Sequence, residues 1–398
     1  MKHKHLLIIS GRDTSLKYIS HLPIKITMVQ TFSRVTSFQK SLCSNMILVD
    51  DIKQSEREIL LELRKIHEID QFDAVISFLE FYLEFATKIS RDLNILGNNI
   101  ESVQICNDKY LMRQKLDQLG IPNIKYQKVT TIEDIVKFCK NNKYPCILKP
   151  KNGYGSIGVY KINSSNDLEK AFVWSKHSSD ELIIEEFIEG DEYSIEGWMN
   201  EKGNHEILAI TKKITSSEPY FIELGHTQPT NLSFIIENKI RNYTNKFYKG
   251  INNKIGPTHT EIKVLENNDV RFIEAHTRYG GDRIWELLLV TQGISIQNLV
   301  ISSLFSFDIT KYNPIAKYAT ILFLFSDKER NIVIEKTNEI ISEPNLIAYE
   351  LPRYTEVSKL EKSDDRFGYV ICKGETEAKS LENAMKILRR IENSTREV

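Results

Sequence analysis

Cysteine is scarce in this chain. Cys43, Cys106, Cys139, Cys146 and Cys372 are its five cysteines, odd in number, scattered and without a CxxC pair. Such usage argues against a disulfide framework and against a cysteine zinc site, and it suits a reducing, cytoplasmic setting. Long hydrophobic runs are missing as well: the best candidate, Tyr318 to Phe325, falls far short of the roughly 18 to 20 residues a membrane-spanning helix needs, and Lys317 precedes it. The N-terminal MKHKHLLIISG sets basic residues before LLII, a run too short for a signal-peptide core and read here as a first strand. Neither sign of charge dominates. A formal net charge of -1 leaves no global basic field for nucleic acid. HRD and DFG triplets are absent, which argues against a protein kinase, and no internal repeat is present.

What is present belongs to a globular chain. Hydrophobic residues at 41% and charged residues at 27% lie near soluble averages, and 398 residues are too many for one ordinary core, so two or three domains are expected. Residues 1–105 alternate short apolar runs (HLLIIS, KITMVQ, MILVD, DAVISF) with polar, helix-compatible stretches, the pattern of an α/β layer on a parallel sheet. Its turn Gly11-Arg12-Asp13 lacks phosphate-loop glycines, so this layer is expected to be scaffold and substrate wall. Residues 106–188 open with a helix capped by Asn107 and ended by Gly120 and Pro122. A strand (IKYQKVT), a helix from about Ile132 to Asn141 capped by Thr131, and a glycine-rich hairpin follow. Residues 189–310 hold alternating segments (HEILAITKKI, THTEIKVL, DVRFIEAH) that suggest an antiparallel sheet, then one helix from about Arg283 to Phe305. Residues 311–398 read as a small α/β appendix. The fold class is therefore α/β (α+β).

The hairpin YPCILKPKNGYGSIGVYKI carries Gly153, Gly155 and Gly158 at the GxGxxG spacing of a dinucleotide fingerprint. That fingerprint needs a helix after the glycines, whereas here Gly158-Val-Tyr-Lys-Ile162 alternates as a strand does. A glycine hairpin between strands can instead close over phosphates, since glycine lets the backbone approach and turn its N–H groups inward. A plain surface hairpin is the competing reading. Around it, in order, come Lys109 on a first helical turn, Lys149 just before the glycines, Glu185-Glu186-Phe187-Ile188, and Glu192. Glu261 and Glu274 follow in strand-like segments, thirteen residues apart around the turn ENND. On neighbouring strands they can point to one spot, and without neutralising partners they would repel unless a divalent ion joined them.

This ordered set resembles the ATP-grasp superfamily over roughly residues 105–300. The resemblance implies an ATP-grasp fold in which Lys109 and Lys149 bind the phosphates beneath a flap formed by Gly153, Tyr154, Gly155 and Ser156 through Gly158. It implies that Glu185, Glu186, Phe187 and the backbone of Ile188 border the adenine, and that Glu192 meets the ribose. Glu261 and Glu274 would hold magnesium, two ions with manganese as a substitute. The family asparagine two residues after the second glutamate is replaced by His276, a less typical ligand for hard magnesium. Arg278 matches the family arginine that faces the acyl phosphate.

The nearer likeness is to bacterial L-amino acid ligases. It implies a carboxylate–amine ligation between amino acids, with ATP consumed through an acyl phosphate and a dipeptide, ADP and phosphate released. Glu223 and His226 in FIELGHTQP, with Glu223 38 residues before Glu261, match a pair that lines the substrate pocket, the glutamate receiving an amino group. The loop through Arg278, Gly281 and Asp282 would border the first side chain. Asp282 stands where a bulky aromatic can stand, which suggests a large or basic first residue such as arginine; a pairing of Asp282 with Arg283 or Arg278 is the competing reading. Two other functions stay open: a bicarbonate-using ATP-grasp carboxylase, which the tail RFGYVICKGETEAKSLENAMKILRRI also suits, and an ATP-binding protein without chemistry. Small-molecule amino acids are the expected partners, with no nucleic acid or membrane, and a homodimer is allowed for.

Overall fold

The computed structural model describes residues 4–153, 155–200, 202–216, 218 and 221–398. Strands β1 (Lys4–Ile9), β2 (Ile24–Thr31), β3 (Asn45–Val49) and β4 (Ala74–Ile76) form an all-parallel sheet in the order β3-β2-β1-β4. Leu6 to Ile9 are wholly buried because helices or neighbouring elements cover both faces, which is why these strands read as continuous apolar runs. The expected parallel layer is therefore present.

A second sheet, β5 (Tyr126–Val129), β6 (Cys146–Pro150), β7 (Tyr160–Ile162) and β8 (Leu182–Glu186), is antiparallel in the order β5-β8-β6-β7. The glycine stretch joins β6 to β7, so it is a hairpin between strands. Period-two alternation divides its faces. Cys146, Leu148, Leu182 and Ile184 enter a core with Ile135, Phe138 and Ala171 of two covering helices, Ile132–Asn142 and Leu168–Ser178. Ile147, Lys149 and Glu185 consequently line the opposite side, which faces a cleft. Thr131 caps the first helix, as expected.

The third sheet is large: β9 (Asp191–Met199), β10 (His205–Thr215), β11 (Glu223–Gln228), β12 (Gly256–Val264), β13 (Val270–His276), β14 (Tyr318–Leu324), β16 (Leu346–Glu350) and β18 (Gly368–Gly374), in the order β13-β12-β9-β10-β11-β14-β18-β16. Its paired strands are antiparallel. A three-stranded sheet of β15 (Arg330–Ile334), β17 (Tyr354–Val357) and β19 (Thr395–Glu397) completes the strands. Residues 311–398 are thus no appendix. Three of their strands extend the sheet that carries the candidate site, because Ile321, Val370 and Ile371 are apolar enough to be buried on it.

Two helix boundaries differ from expectation. Asp108, not Asn107, caps the helix Lys109–Gln118, accepting from the N–H groups of Tyr110 (2.9 Å) and Leu111 (3.1 Å), while Asn107 ends the preceding helix Ile100–Asn107. The long helix expected from Arg283 is two, Ile284–Gln292 and Ile296–Leu304, bent by 82°. Gly293 sits between them at φ +67, where a Cβ would run into the Tyr312 carbonyl oxygen. Among the described residues no single helix is long and apolar enough to cross a membrane.

Candidate active site

The small sheet and the large sheet face one another across a cleft of about 380 Å³. Every site residue expected from the sequence lines it except Gly158, at the foot of the hairpin, and Tyr154, which lies outside the described residues. The two sheets are stitched by Arg113, wholly buried and unremarked in the sequence. Its Nε donates to Glu185 Oε1 (2.7 Å) on β8, and its Nη1 to the Phe272 carbonyl (2.6 Å) on β13.

At the flap end, Asp108 capping places Lys109 at the first helical position, where its N–H donates to the Lys151 carbonyl (3.0 Å) and its Nζ to the Gly153 carbonyl (2.9 Å). Ser156 Oγ reaches the Phe221 carbonyl (3.3 Å), so the flap touches the far side of the cleft. Gly158 at φ +74 is required, since a Cβ would come within 2.8 Å of Ser178 and 2.9 Å of Pro150. Lys149 is buried and pairs with Glu185 (2.7 Å). Burial pushes the Lys149 ammonium pKa down; burial also opposes the Glu185 charge, yet Arg113 and Lys149 outweigh it and hold that carboxyl at about 2. Glu185 lines the cleft, and here its carboxylate is paired with Arg113 and Lys149. The ammonium groups of Lys161 and Lys263 stand 3.9 and 5.1 Å from the ring centroid of Phe187, and Lys263 also donates to the Ile188 carbonyl (3.2 Å). Glu186 accepts from the Lys125 N–H (2.9 Å).

At the carboxylate end, Glu261 and Glu274 are direct cross-strand partners on β12 and β13, as their spacing implied. Tyr248, fully buried, pins these strands: its hydroxyl lies 3.1 Å from the carbonyls of both His259 and His276. The two carboxylates are not without partners, however. Lys213 holds Glu261 (3.0 Å), Glu192 (2.6 Å) and Glu223 (3.2 Å), and Lys109 holds Glu274 (3.1 Å). Burial works against the charge on Lys213, but the three carboxylates outweigh it and raise its pKa well above the ordinary lysine value. Burial also opposes ionisation of Glu274, and Lys109 and His276 overcome it to hold that carboxyl at about 2. His259 Nδ1 bonds Glu196 (2.7 Å) and its Nε2 lies 3.2 Å from Glu261, a support that fixes the latter's orientation. His276 sits between Glu274 (3.3 Å) and Glu80 (3.4 Å). Among the described residues no three or more His, Cys, Asp or Glu side chains form a ready metal cage. Two carboxylates on adjacent strands nevertheless suit magnesium, which is commonly held by one or two carboxylates together with phosphates.

Beyond the carboxylates, Arg278 is gripped by Glu80 of the N-terminal layer, Nε at 3.0 Å and Nη2 at 2.8 Å from one oxygen. Glu80 and Phe81 of that layer line the cleft. His226 Nε2 is 3.5 Å from Asp282, and Asp282 receives a two-pronged pair from Arg366 (2.8 and 2.7 Å). Sequence reading missed Glu80, Arg113, Lys213, His259 and Arg366. Of these, His259 left the plainest trace, two residues before Glu261 on one strand and therefore on the same face.

Residues 142–286 match the family model of the ATP-grasp domain. This segment is similar to ATP-grasp domains. The whole chain superposes on an L-amino acid ligase from Bacillus licheniformis with a TM-score of 0.82 and 19% identity, covering 100% of this chain and 99% of the other. It has the ATP-grasp fold. An N5-carboxyaminoimidazole ribonucleotide synthetase in its ADP complex is also similar, with a TM-score of 0.75 and 15% identity over 99% of this chain and 100% of that one. In sequence, an alanine–anticapsin ligase of Bacillus subtilis (strain 168) is 28% identical over 263 residues, 60% of this chain and 54% of that protein. A D-alanine–D-alanine ligase of a Nitratiruptor species is 25% identical over 254 residues, 62% of this chain and 68% of that protein. The chain spans about half the length of the alanine–anticapsin ligases it matches.

Proposed function

We propose that the protein is an ATP-dependent carboxylate–amine ligase that joins two L-amino acids, releasing dipeptide, ADP and phosphate. One observation carries the reading. Lys109, Lys149, Glu261, Glu274 and Arg278, spread over some 170 positions, line one cleft beneath a glycine hairpin in an ATP-grasp fold. The likeness to named amino acid ligases supports the substrate class.

In this reading Lys109 and Lys149 take the ATP phosphates, exchanging their present carboxylate partners for phosphate oxygens. Glu261 and Glu274 would hold magnesium, two ions with manganese as a substitute, which neutralises charge on the transferring phosphoryl group. His276 is held as a neighbour of Glu274 rather than a firm third ligand. The carboxylate of the first amino acid attacks the γ-phosphorus and ADP departs; the amine of the second attacks the acyl carbon and phosphate leaves. Arg278, steadied by Glu80, faces the acyl group and offsets the developing oxyanion. Glu223, with one oxygen on Lys213 and one near Ser363, is placed to receive an ammonium. The charge of Asp282, on which a basic first side chain would depend, is met here by Arg366.

The test is mass spectrometry of products from a mixed amino-acid pool with ATP and magnesium, beside ADP release. Dipeptide formed in step with ADP is expected. ADP release that requires bicarbonate and yields no peptide would favour the carboxylase, and nucleotide binding without turnover would favour a binding protein.

A further inference from the structure

Arg366 has no task in the steps above, yet it is the most thoroughly connected cation at the amino-acid end of the cleft. It lies on the loop between β17 and β18, 84 residues beyond the side chain it grips. Its Nη1 and Nη2 meet Asp282 Oδ2 and Oδ1 at 2.8 and 2.7 Å, the parallel fork geometry in which a guanidinium pairs most strongly with a carboxylate. Nη1 also donates to the Glu223 carbonyl (3.0 Å), and Nε to the Ser363 carbonyl (2.7 Å). The guanidinium stands 4.0 Å from the ring centroid of Phe323, packed on an apolar face. Its side chain is 10% exposed and that of Asp282 26%.

Asp282 itself is held in an unusual backbone state. It and Arg283 follow one another at φ 49 and φ 60, left-handed values that side-chain-bearing residues adopt when their surroundings fix them. Burial opposes its ionisation, but the nearby His226 and the hydrogen-bonded Arg366 overcome this and hold the carboxyl below its usual range. A carboxylate so placed is a natural partner for a guanidinium or ammonium, and the protein has filled that position from its own chain.

We propose that Arg366 is a specificity-determining residue: its guanidinium occupies the place at Asp282 that the cationic side chain of an arginine or lysine substrate would need, so the pocket takes uncharged side chains and rejects cationic ones. This rests on the amino acid ligase reading. The rejection is built from an internal cation, since an incoming one would have to displace Arg366 and leave it crowded and unpaired beside like charge. The same logic gives the converse. Removing Arg366 leaves a part-buried carboxylate without its partner, and a substrate cation is the obvious replacement.

The full chain should be titrated calorimetrically with L-arginine and L-leucine, and the ratio of their affinities compared among variants. Arg366→Met is expected to raise the arginine-to-leucine ratio at least tenfold over the unmodified protein. Adding Asp282→Asn should cancel the gain. Arg366→Gln, which keeps a donor for the Glu223 carbonyl, should raise the ratio in the same direction and serves if the methionine variant does not fold. The proposal is overturned if the unmodified protein binds arginine as tightly as leucine, if both variants leave the ratio unchanged, or if neither amino acid binds any of the proteins. ADP release with the same amino acids is measured alongside. Its absence throughout would count against the ligase reading, whereas the affinity ratio decides the role of Arg366 independently.

Discussion

Lys213 shows how much of the site depends on single side chains. With only 2% of its side chain exposed and three carboxylates on one ammonium, its loss would leave Glu192, Glu223 and Glu261 facing one another without a cation. Breaking a buried charge cluster from one side costs about 3–5 kcal/mol, so Lys213→Met should lower the melting temperature markedly by calorimetry. A change within experimental error would mean the cluster is not formed. Lys149→Ala and Glu274→Ala are expected to reduce ATP turnover by at least ~10²-fold, the scale of losing one group aimed at transition-state charge. At this scale the sequence was partly legible. The order of Lys109, Lys149, Glu261, Glu274 and Arg278 pointed to one cleft, and they share it. Their present partners were hidden, because a neighbour across sheets has no sequence signature. Lys212 and Lys213 are adjacent and alike on paper. Strand alternation sends the first to exposed Asp191 and the second into the cleft, and only the surrounding strands say which is which.

At the scale of elements, the glycine hairpin gives the sharpest contrast. Gly155 at φ +63 has open space around it, so an added Cβ meets only the backbone cost of about 1–2 kcal/mol. Gly158 carries the same kind of cost together with overlap on Ser178 and Pro150. Gly158→Ala should therefore impair ATP turnover and melting more than Gly155→Ala does, and equal effects would show that the hairpin is not seated on Pro150. The elements themselves were largely readable from period-two alternation and turn residues: the parallel runs, the hairpin, the paired carboxylate strands. Errors arose where a local signal was ambiguous. Asn107 and Asp108 are both good caps and adjacent, and Gly293 inside an apolar run looked tolerable within a helix until Tyr312, folded back from a later segment, required the bend.

For the whole molecule, the free site is already charge-paired, cation to carboxylate. Nucleotide and metal must displace those pairs together. MgADP should accordingly bind at least about tenfold more tightly than ADP without metal, read by calorimetry, and equal affinities would contradict the pairing. The fold also sets an acid limit. His205 is buried and its pKa is lowered to about 4, chiefly by burial, while in the unfolded chain it is 6.5. A folded pKa below the unfolded one gives stability that is full above pH 6.5 and is lost as pH falls towards 4, on the order of 3 kcal/mol. His5, also lowered, acts in the same sense. Melting followed from pH 7 to 4.5 should fall, and His205→Gln should flatten the slope; an unchanged slope would place the acid sensitivity elsewhere. What the sequence could not yield at this scale was the eight-stranded sheet. Its order joins strands far apart in the chain, so the last 88 residues looked separate although Arg366 completes the pocket wall.

The most direct test of an acyl phosphate formed in this cleft is isotopic. Amino acids labelled with oxygen-18 in the carboxylate are supplied with ATP and magnesium, and the released phosphate is weighed by mass spectrometry. One labelled oxygen per phosphate, matched to one peptide bond, is the expected result; phosphate that carries no label would contradict it.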